Sequence, residues 1–218
     1  MKNLIYPVVI YFIILCHINL AMGNNVQNDL HYYQKISLPY SSNDVTKYYY
    51  WEDKTEELRI SPNQKVSVRF SDKECCILRK LAKFARSDSY YPAIYFSYKN
   101  ILYKGIFFIN YTDNDMPIFI FQLNSYDLNG NIIDVIVLDE RVNVEGEVLY
   151  FNDFTIQQNG EILVSKNEQY LLDYDLIDNK GEGFRIGEAK SKKFTYQMST
   201  SGIFKKINET NYKQYKWK

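Results

Sequence analysis

From Tyr91 to the C-terminus, apolar and polar residues alternate with a period of two. That is the spacing of strands that turn one face to a core. The segments 93–98, 102–110, 117–126, 132–139, 146–157, 161–166, 170–177, 193–198 and 203–207 all read as strands. Turn residues punctuate them at Asn129-Gly130, Asn159-Gly160, Asn179-Lys180-Gly181 and Ser201-Gly202. Asn-Gly between β-prone runs is the strongest short hairpin signal, because both residues accept positive φ. Successive hairpins make sequence neighbours into spatial neighbours. The pattern therefore predicts a mainly β (α+β) fold, a curved antiparallel β-meander of about 8–10 strands joined by Asn-Gly type hairpins. A partial barrel and a two-layer sandwich both fit it.

Upstream, the period is different. Val66, Val68 and Phe70 alternate, as in a half-buried strand. Ser71-Asp72-Lys73-Glu74 then forms a capping box, in which Ser71 and Glu74 each bond the other's amide. Ile77, Leu78, Leu81, Ala82, Phe84 and Ala85 follow on one helical face, with Lys73, Arg79, Lys80, Lys83 and Arg86 opposite. One amphipathic helix, about 72–86, is expected to pack on the sheet. The segment 24–54 is polar and uneven, with one aromatic cluster at Tyr48-Tyr49-Tyr50-Trp51, and reads as a loose lead-in.

The stretch Ser125 to Ile136 (SYDLNGNIIDVI) admits two readings. Laid over a calcium loop, Asp127, Asn129 and Gly130 take ligand and turn positions. Ser125 stands where an acid or amide is wanted, and Ile136 stands where the bidentate Glu belongs. The flanks are strand-like, where a calcium loop of this type needs helices. As a hairpin turning at Asn129-Gly130, the same stretch pairs Tyr126 with Ile133 and Leu123 with Ile136. The hairpin reading is adopted, and no metal site is assigned.

The N-terminus changes the picture of where the protein works. Lys2 precedes a mostly apolar run from Leu4 to Leu20, and Ala21-Met22-Gly23 supplies small residues for cleavage. Residues 1–23 read as a cleaved signal peptide, with a retained anchor as the alternative. Residues 24–218 then form a single β-rich domain, exported to the periplasm, the cell surface or the medium. No later run is long and apolar enough for a membrane helix, so no transmembrane segment is expected after signal removal.

The chain has 26 basic and 26 acidic residues. The leader removes only Lys2, so the remainder is almost neutral. Nucleic-acid binding normally needs a basic excess to displace counterions, and it is not expected. Lysines do gather late, at Lys205, Lys206, Lys213, Lys216 and Lys218, where they could meet an acidic partner or an anionic surface. Aromatic content is high, with 21 Tyr and 13 Phe. Tyr suits both sheet faces and half-wet binding surfaces, because its ring is apolar and its tip polar.

Candidate chemistry is sparse. His17 falls in the leader, which leaves His31 in a polar context without a motif. A Ser or Cys nucleophile usually needs a histidine base held by a third group, and zinc of the catalytic kind needs several such ligands. No nucleophile elbow, phosphate loop or dinucleotide fingerprint occurs. Cys75 and Cys76 are adjacent, and on the helical wheel Cys76 lies among Lys73, Arg79, Lys80 and Lys83. Cations favour the thiolate, so Cys76 is the candidate reactive thiol. Acidic residues such as Asp173 and Asp175, two apart on one strand face, leave a carboxylate-based hydrolase open.

The expectation is a non-catalytic, exported envelope protein that binds another protein, in the manner of an immunity or inhibitor protein. A carbohydrate-binding module is the alternative, with Trp51 and Tyr95 as candidate stacking aromatics. No catalytic residue, cofactor or metal is assigned.

Overall fold

Strand pairing in the computed structural model follows the meander that the alternation predicts. Residues 29–52, 57–61, 66–71, 87–111, 115–171 and 188–216 are described. The expected helix over 72–86, with Cys75 and Cys76, lies outside them. So do the leader and Asp173 and Asp175.

Eight consecutive antiparallel strands build the body. They are β6 (Ser89–Tyr98), β7 (Ile101–Tyr111), β8 (Pro117–Tyr126), β9 (Ile132–Val144), β10 (Val148–Ile156), β11 (Glu161–Tyr170), β12 (Glu188–Met198) and β13 (Phe204–Glu209). Short elements attach to this path. β1 (Gln34–Lys35) pairs parallel with β6, and β5 (Val68–Arg69) pairs antiparallel with it. β2 (Tyr40–Ser41) joins β10, and β14 (Lys213–Lys216) joins β12. β3 (Tyr49–Glu52) and β4 (Glu57–Ile60) form a separate hairpin. The one α-helix among the described residues is a single turn, α1 (Ser42–Val45). The Asp44 carboxylate starts it by accepting both the Ser41 N–H and the Ser41 hydroxyl.

The sheet folds over at β9. Residues 132–141 of this long strand pair with or lie beside β8, and Val142–Val144 pair with the start of β10. Strands β6–β9 thus make one layer and β10–β13 another. Phe96, Tyr103, Phe107, Phe119, Phe121, Leu123 and Leu138 from the first meet Phe154, Ile156, Ile162, Val164, Met198 and Phe204 from the second. Rings carry much of this contact: Phe121 stacks on Phe154 at 5.6 Å, and Tyr103 meets Phe204 at 5.8 Å. Gly105 is needed here, because a Cβ would come within 2.6 Å of Ile94 and 3.0 Å of Phe121.

The first layer is covered on its other face as well. Tyr33, Phe70, Tyr90, Ile106, Phe108, Ile118 and Ile120 form a second cluster there. Lys104 lies in the same face, 4 % exposed. Its ammonium bonds both Asp29 carboxylate oxygens, at 2.7 and 2.9 Å, and sits over the rings of Tyr33 and Tyr126.

Two seams close the layers at their far edges. The Tyr98 hydroxyl donates to the Asn159 carbonyl in the β10–β11 turn. The buried Ser125 hydroxyl donates to the Gly202 carbonyl at 2.6 Å, and the Phe204 N–H donates to Asp134 Oδ2 at 2.9 Å.

Local geometry corrects two expectations. The Asn-Gly turns are not two-residue turns. In the loops 127–131, 157–161 and 199–203, the first N–H bonds the fifth carbonyl, and only the glycine has positive φ. That is a type I turn with a glycine bulge. Leu123 does pair with Ile136, but Tyr126 pairs with Ile132 rather than Ile133, across a register shift. The two-residue turn with both φ positive occurs at Lys99-Asn100.

The segment 24–54 is also tighter than expected over 29–52. Tyr33, Tyr40, Val45, Tyr48 and Tyr49 are all buried. The Tyr49 ring lies 4.8 Å from Phe107 and 4.3 Å from Phe119, so this stretch plugs the core. Its elements are too short to show a period.

Candidate functional site on the second layer

Cross-strand partners in an antiparallel sheet share a face. The register of β10–β13 therefore sorts the inner face of the second layer into rows. Ile156, Ile162, Tyr196 and Lys206 form one, and Phe154, Val164, Phe194 and Glu209 the next. Asn152, Lys166 and Lys192 follow, and then Tyr150, Glu168 and Lys190. The face begins as core and emerges as a polar, aromatic surface.

Phe194 is the centre of that surface. The ammonium groups of Lys192, Lys166 and Lys206 lie 5.3, 5.9 and 5.9 Å from its ring centroid. Such cations are attracted to the ring's negative face. Lys192 also lies 5.5 Å from the Tyr212 ring. Glu209 bridges two of the lysines, one oxygen on Lys192 and the other on Lys206. These bonds, that to Lys192 foremost, hold the Glu209 carboxyl at about 2, well below its ordinary value.

Glu168 organises the adjoining patch. The Tyr170 hydroxyl donates to it at 3.3 Å. Partial burial, and then the Glu168 carboxylate, push the phenols of Tyr150, Tyr170 and Tyr212 upward. All three stay neutral donors at physiological pH. On this face Lys166, Lys190, Lys192 and Lys206 stand against Glu168, Glu188 and Glu209, so the surface mixes both signs with a slight positive excess.

Where the rows enter the core, Asp139 is fully buried. Arg141 Nε donates to it at 2.9 Å, and the Asn152 N–H at 3.3 Å. Burial raises its carboxyl to about 6 despite the opposing pull of Arg141. This carboxylate is fastened within the fold rather than aimed at a cleft.

The outer face of the same strands is different. Asn167 donates to Asp153 at 3.1 Å, and Ser165 meets Ser191 at 2.9 Å, a polar ladder with Phe151 opposite Asn167.

A second concavity lies by the β3–β4 hairpin. It has a volume of about 630 Å³ and is lined by Tyr49, Tyr50, Lys47 and Arg59 among others. A smaller one of about 350 Å³, sharing Lys47 and Ser61 with it, is lined by His31, Tyr32, Tyr33 and Tyr48.

The residues singled out from sequence are scattered. Tyr95 lies on β6 between Lys104 and Lys35, half-buried against the outer cluster of the first layer. Trp51 is on β3 opposite Leu58, in the hairpin beside the larger concavity. Cys76 is outside the described residues. Asp127, the best residue of the calcium-like stretch, turns its carboxylate onto its own loop. It accepts the N–H groups of Asn129 and Asn131 and the Asn131 side-chain amide. The bond from that amide is the main reason its carboxyl is lowered. Among the described residues no three His, Cys, Asp or Glu side chains gather as metal ligands, and no helix is long and apolar enough to cross a membrane.

The Phe194 surface was not anticipated as a unit. Its signal is present in the alternation Lys190, Lys192, Phe194, Tyr196 and again in Lys166, Glu168, Tyr170. Joining the two sets requires the β11–β12 register. No protein-family model, no curated protein and no solved structure matches the chain.

Proposed function

We propose that this is an exported, non-catalytic binding protein that engages another protein through the inner face of β10–β14. The observation that carries the reading is the half-buried cluster around Phe194, with three lysines on one ring and three neutral tyrosine hydroxyls beside it. Aromatic rings that pair apolar area with a polar tip are what protein interfaces enrich at their centres, and surrounding lysines steer and select a partner of opposite charge. Inhibition or neutralisation of the partner is the natural use for such a protein.

The test is site-specific photo-crosslinking in envelope extract at physiological salt. A crosslinking residue in place of Tyr212 should capture a discrete partner, and the same residue in place of Tyr111, exposed at the end of β7, should not. Equal labelling at both positions, or none at either, would refute the proposal.

The β3–β4 concavity favours a second reading, a carbohydrate site. Its volume suits a small ligand, and Tyr50 is 55 % exposed at its rim. A glycan panel read by intrinsic fluorescence tests it. No shift with any glycan, or a shift that survives Tyr50→Ala, would count against this site.

A further inference from the structure

The Phe194 surface already contains one bound carboxylate, its own. Glu209 reaches across from the edge strand β13 and occupies both Lys192 and Lys206. It is on the row of Phe194, so its carboxylate sits where lysines and ring converge. Burial does not explain this arrangement, because Lys206, half exposed, and Glu209 face solvent. Exposed pairs of this kind are weak, so they exchange readily with an outside carboxylate.

The partner's chemistry follows from what the surface favours and disfavours. Nucleic acid needs a continuous basic track, and here Glu168 and Glu209 interrupt the lysines. Strand addition along β13 is also disfavoured. The register shift between Thr195 and Tyr196 makes Ile207 a bulge, and Lys205 and Lys206 precede it, two devices that blunt an edge. What remains is recognition by the side-chain face, with separated carboxylates meeting separated ammonium groups over aromatic rings.

We infer that Glu209 is an internal stand-in for a carboxylate of an acidic segment of a partner protein, which docks over Phe194 between Lys192 and Lys206 in its place. This rests on the protein-binding reading above. The acidic segment gains two charge-assisted bonds and the ring contact, while Glu209 swings to water.

The experiment uses a fluorescein-labelled deca-glutamate peptide with the full chain. Heparin oligosaccharide, phosphatidylglycerol vesicles and a single-stranded oligonucleotide are the comparison probes. The wild type should bind the peptide, more weakly as salt rises. Glu209→Gln frees both lysines and should tighten binding roughly twofold to thirtyfold, the range two exposed pairs allow. Lys192→Gln with Lys206→Gln should weaken it at least as much. Lys193→Gln with Lys205→Gln removes the same charge from the opposite face and should leave binding near the wild-type value.

The inference is overturned if Glu209→Gln binds no tighter, or if both double variants weaken binding equally. It is likewise overturned if a comparison probe binds through Lys192 and Lys206 while the peptide does not. A natural partner captured equally by wild type and by the Lys192→Gln, Lys206→Gln variant would overturn this inference and leave the protein-binding reading standing. Peptide exchange as expected, with no crosslinked protein at Tyr212, would overturn that reading and leave the carboxylate exchange intact.

Discussion

Gly160→Ala measures how tightly the two layers are joined. Gly160 has φ +79° in the β10–β11 turn, and a Cβ there would lie 2.5 Å from the Tyr98 ring and 2.6 Å from its hydroxyl. Tyr98 is the residue whose hydroxyl ties the first layer to that turn. Two costs add. An Ala held at positive φ costs roughly 1–2 kcal/mol, offset by about 0.4–1 kcal/mol because Ala has less freedom to lose on folding. The second cost is steric. Either the ring is compressed, worth about 1–3 kcal/mol, or it swings out and forfeits a hydrogen bond of about 1 kcal/mol together with packed area. Gly146 is the internal control, since its φ is +73° but nothing lies within 4 Å of its Cβ position. Gly146→Ala should therefore cost about 1 kcal/mol or less. Gly160→Ala should cost roughly 2 kcal/mol more. For a domain of this size that difference lowers Tm by a further ~4–8 °C. Calorimetry of the two variants side by side provides the assay. Equal losses would refute the seam, because backbone strain would then account for everything.

Three further outcomes follow from buried polar groups. Asp139 has a folded pKa of about 6, above its ordinary value of 3.8. The folded state then holds a proton that the unfolded state has released, so stability rises as pH falls from 7 towards 5. Asp139→Asn should abolish that rise in urea midpoints at the two pH values, and an unchanged rise would show that another group titrates. Asp29→Ala strands the Lys104 ammonium in the outer cluster and should cost roughly 3 kcal/mol. Adding Lys104→Met should recover much of that loss, and additivity of the two changes would mean that the pair is not coupled. Ser125→Ala leaves the Gly202 carbonyl and the Asp134 N–H without the hydroxyl that serves both, and should cost about 1–3 kcal/mol by urea titration.

The alternation from Tyr91 onward made the antiparallel meander legible, because period two is a direct imprint of a face turned to a core. It also placed Leu123 opposite Ile136, a pair far enough from the turn to be governed by burial. Nearer the turn the argument failed for a definable reason. It assumed that Asn129-Gly130 would turn alone, whereas the Asp127 carboxylate captures two backbone amides and widens the loop. The true two-residue turn, Lys99-Asn100, lacks glycine and carries no strong signature. The N-terminal plug was illegible because its strands of two residues and its single helical turn cannot display a period. Phe194 and its lysines were half legible. Alternation put Lys192, Phe194 and Tyr196 on one face, but Lys166 and Glu209 reach them only through strand pairings that sequence does not register. The late lysine run was visible, though not that Glu209 would bridge two of its neighbours.

The way β9 divides its length between two layers has a kinetic consequence. Each hairpin of the meander joins near neighbours and closes at little entropic cost. The contacts that bind one layer to the other span much longer loops: 61 residues for Tyr98 and Asn159, 70 for Phe204 and Asp134, 77 for Ser125 and Gly202. Non-local closures of this kind set the pace for β proteins. The two halves can therefore pair their strands early and independently, and the molecule acquires its native state when they clap shut about β9. Because that closure sets the pace, side chains on the seams act on the rate of folding as well as on the rate of opening.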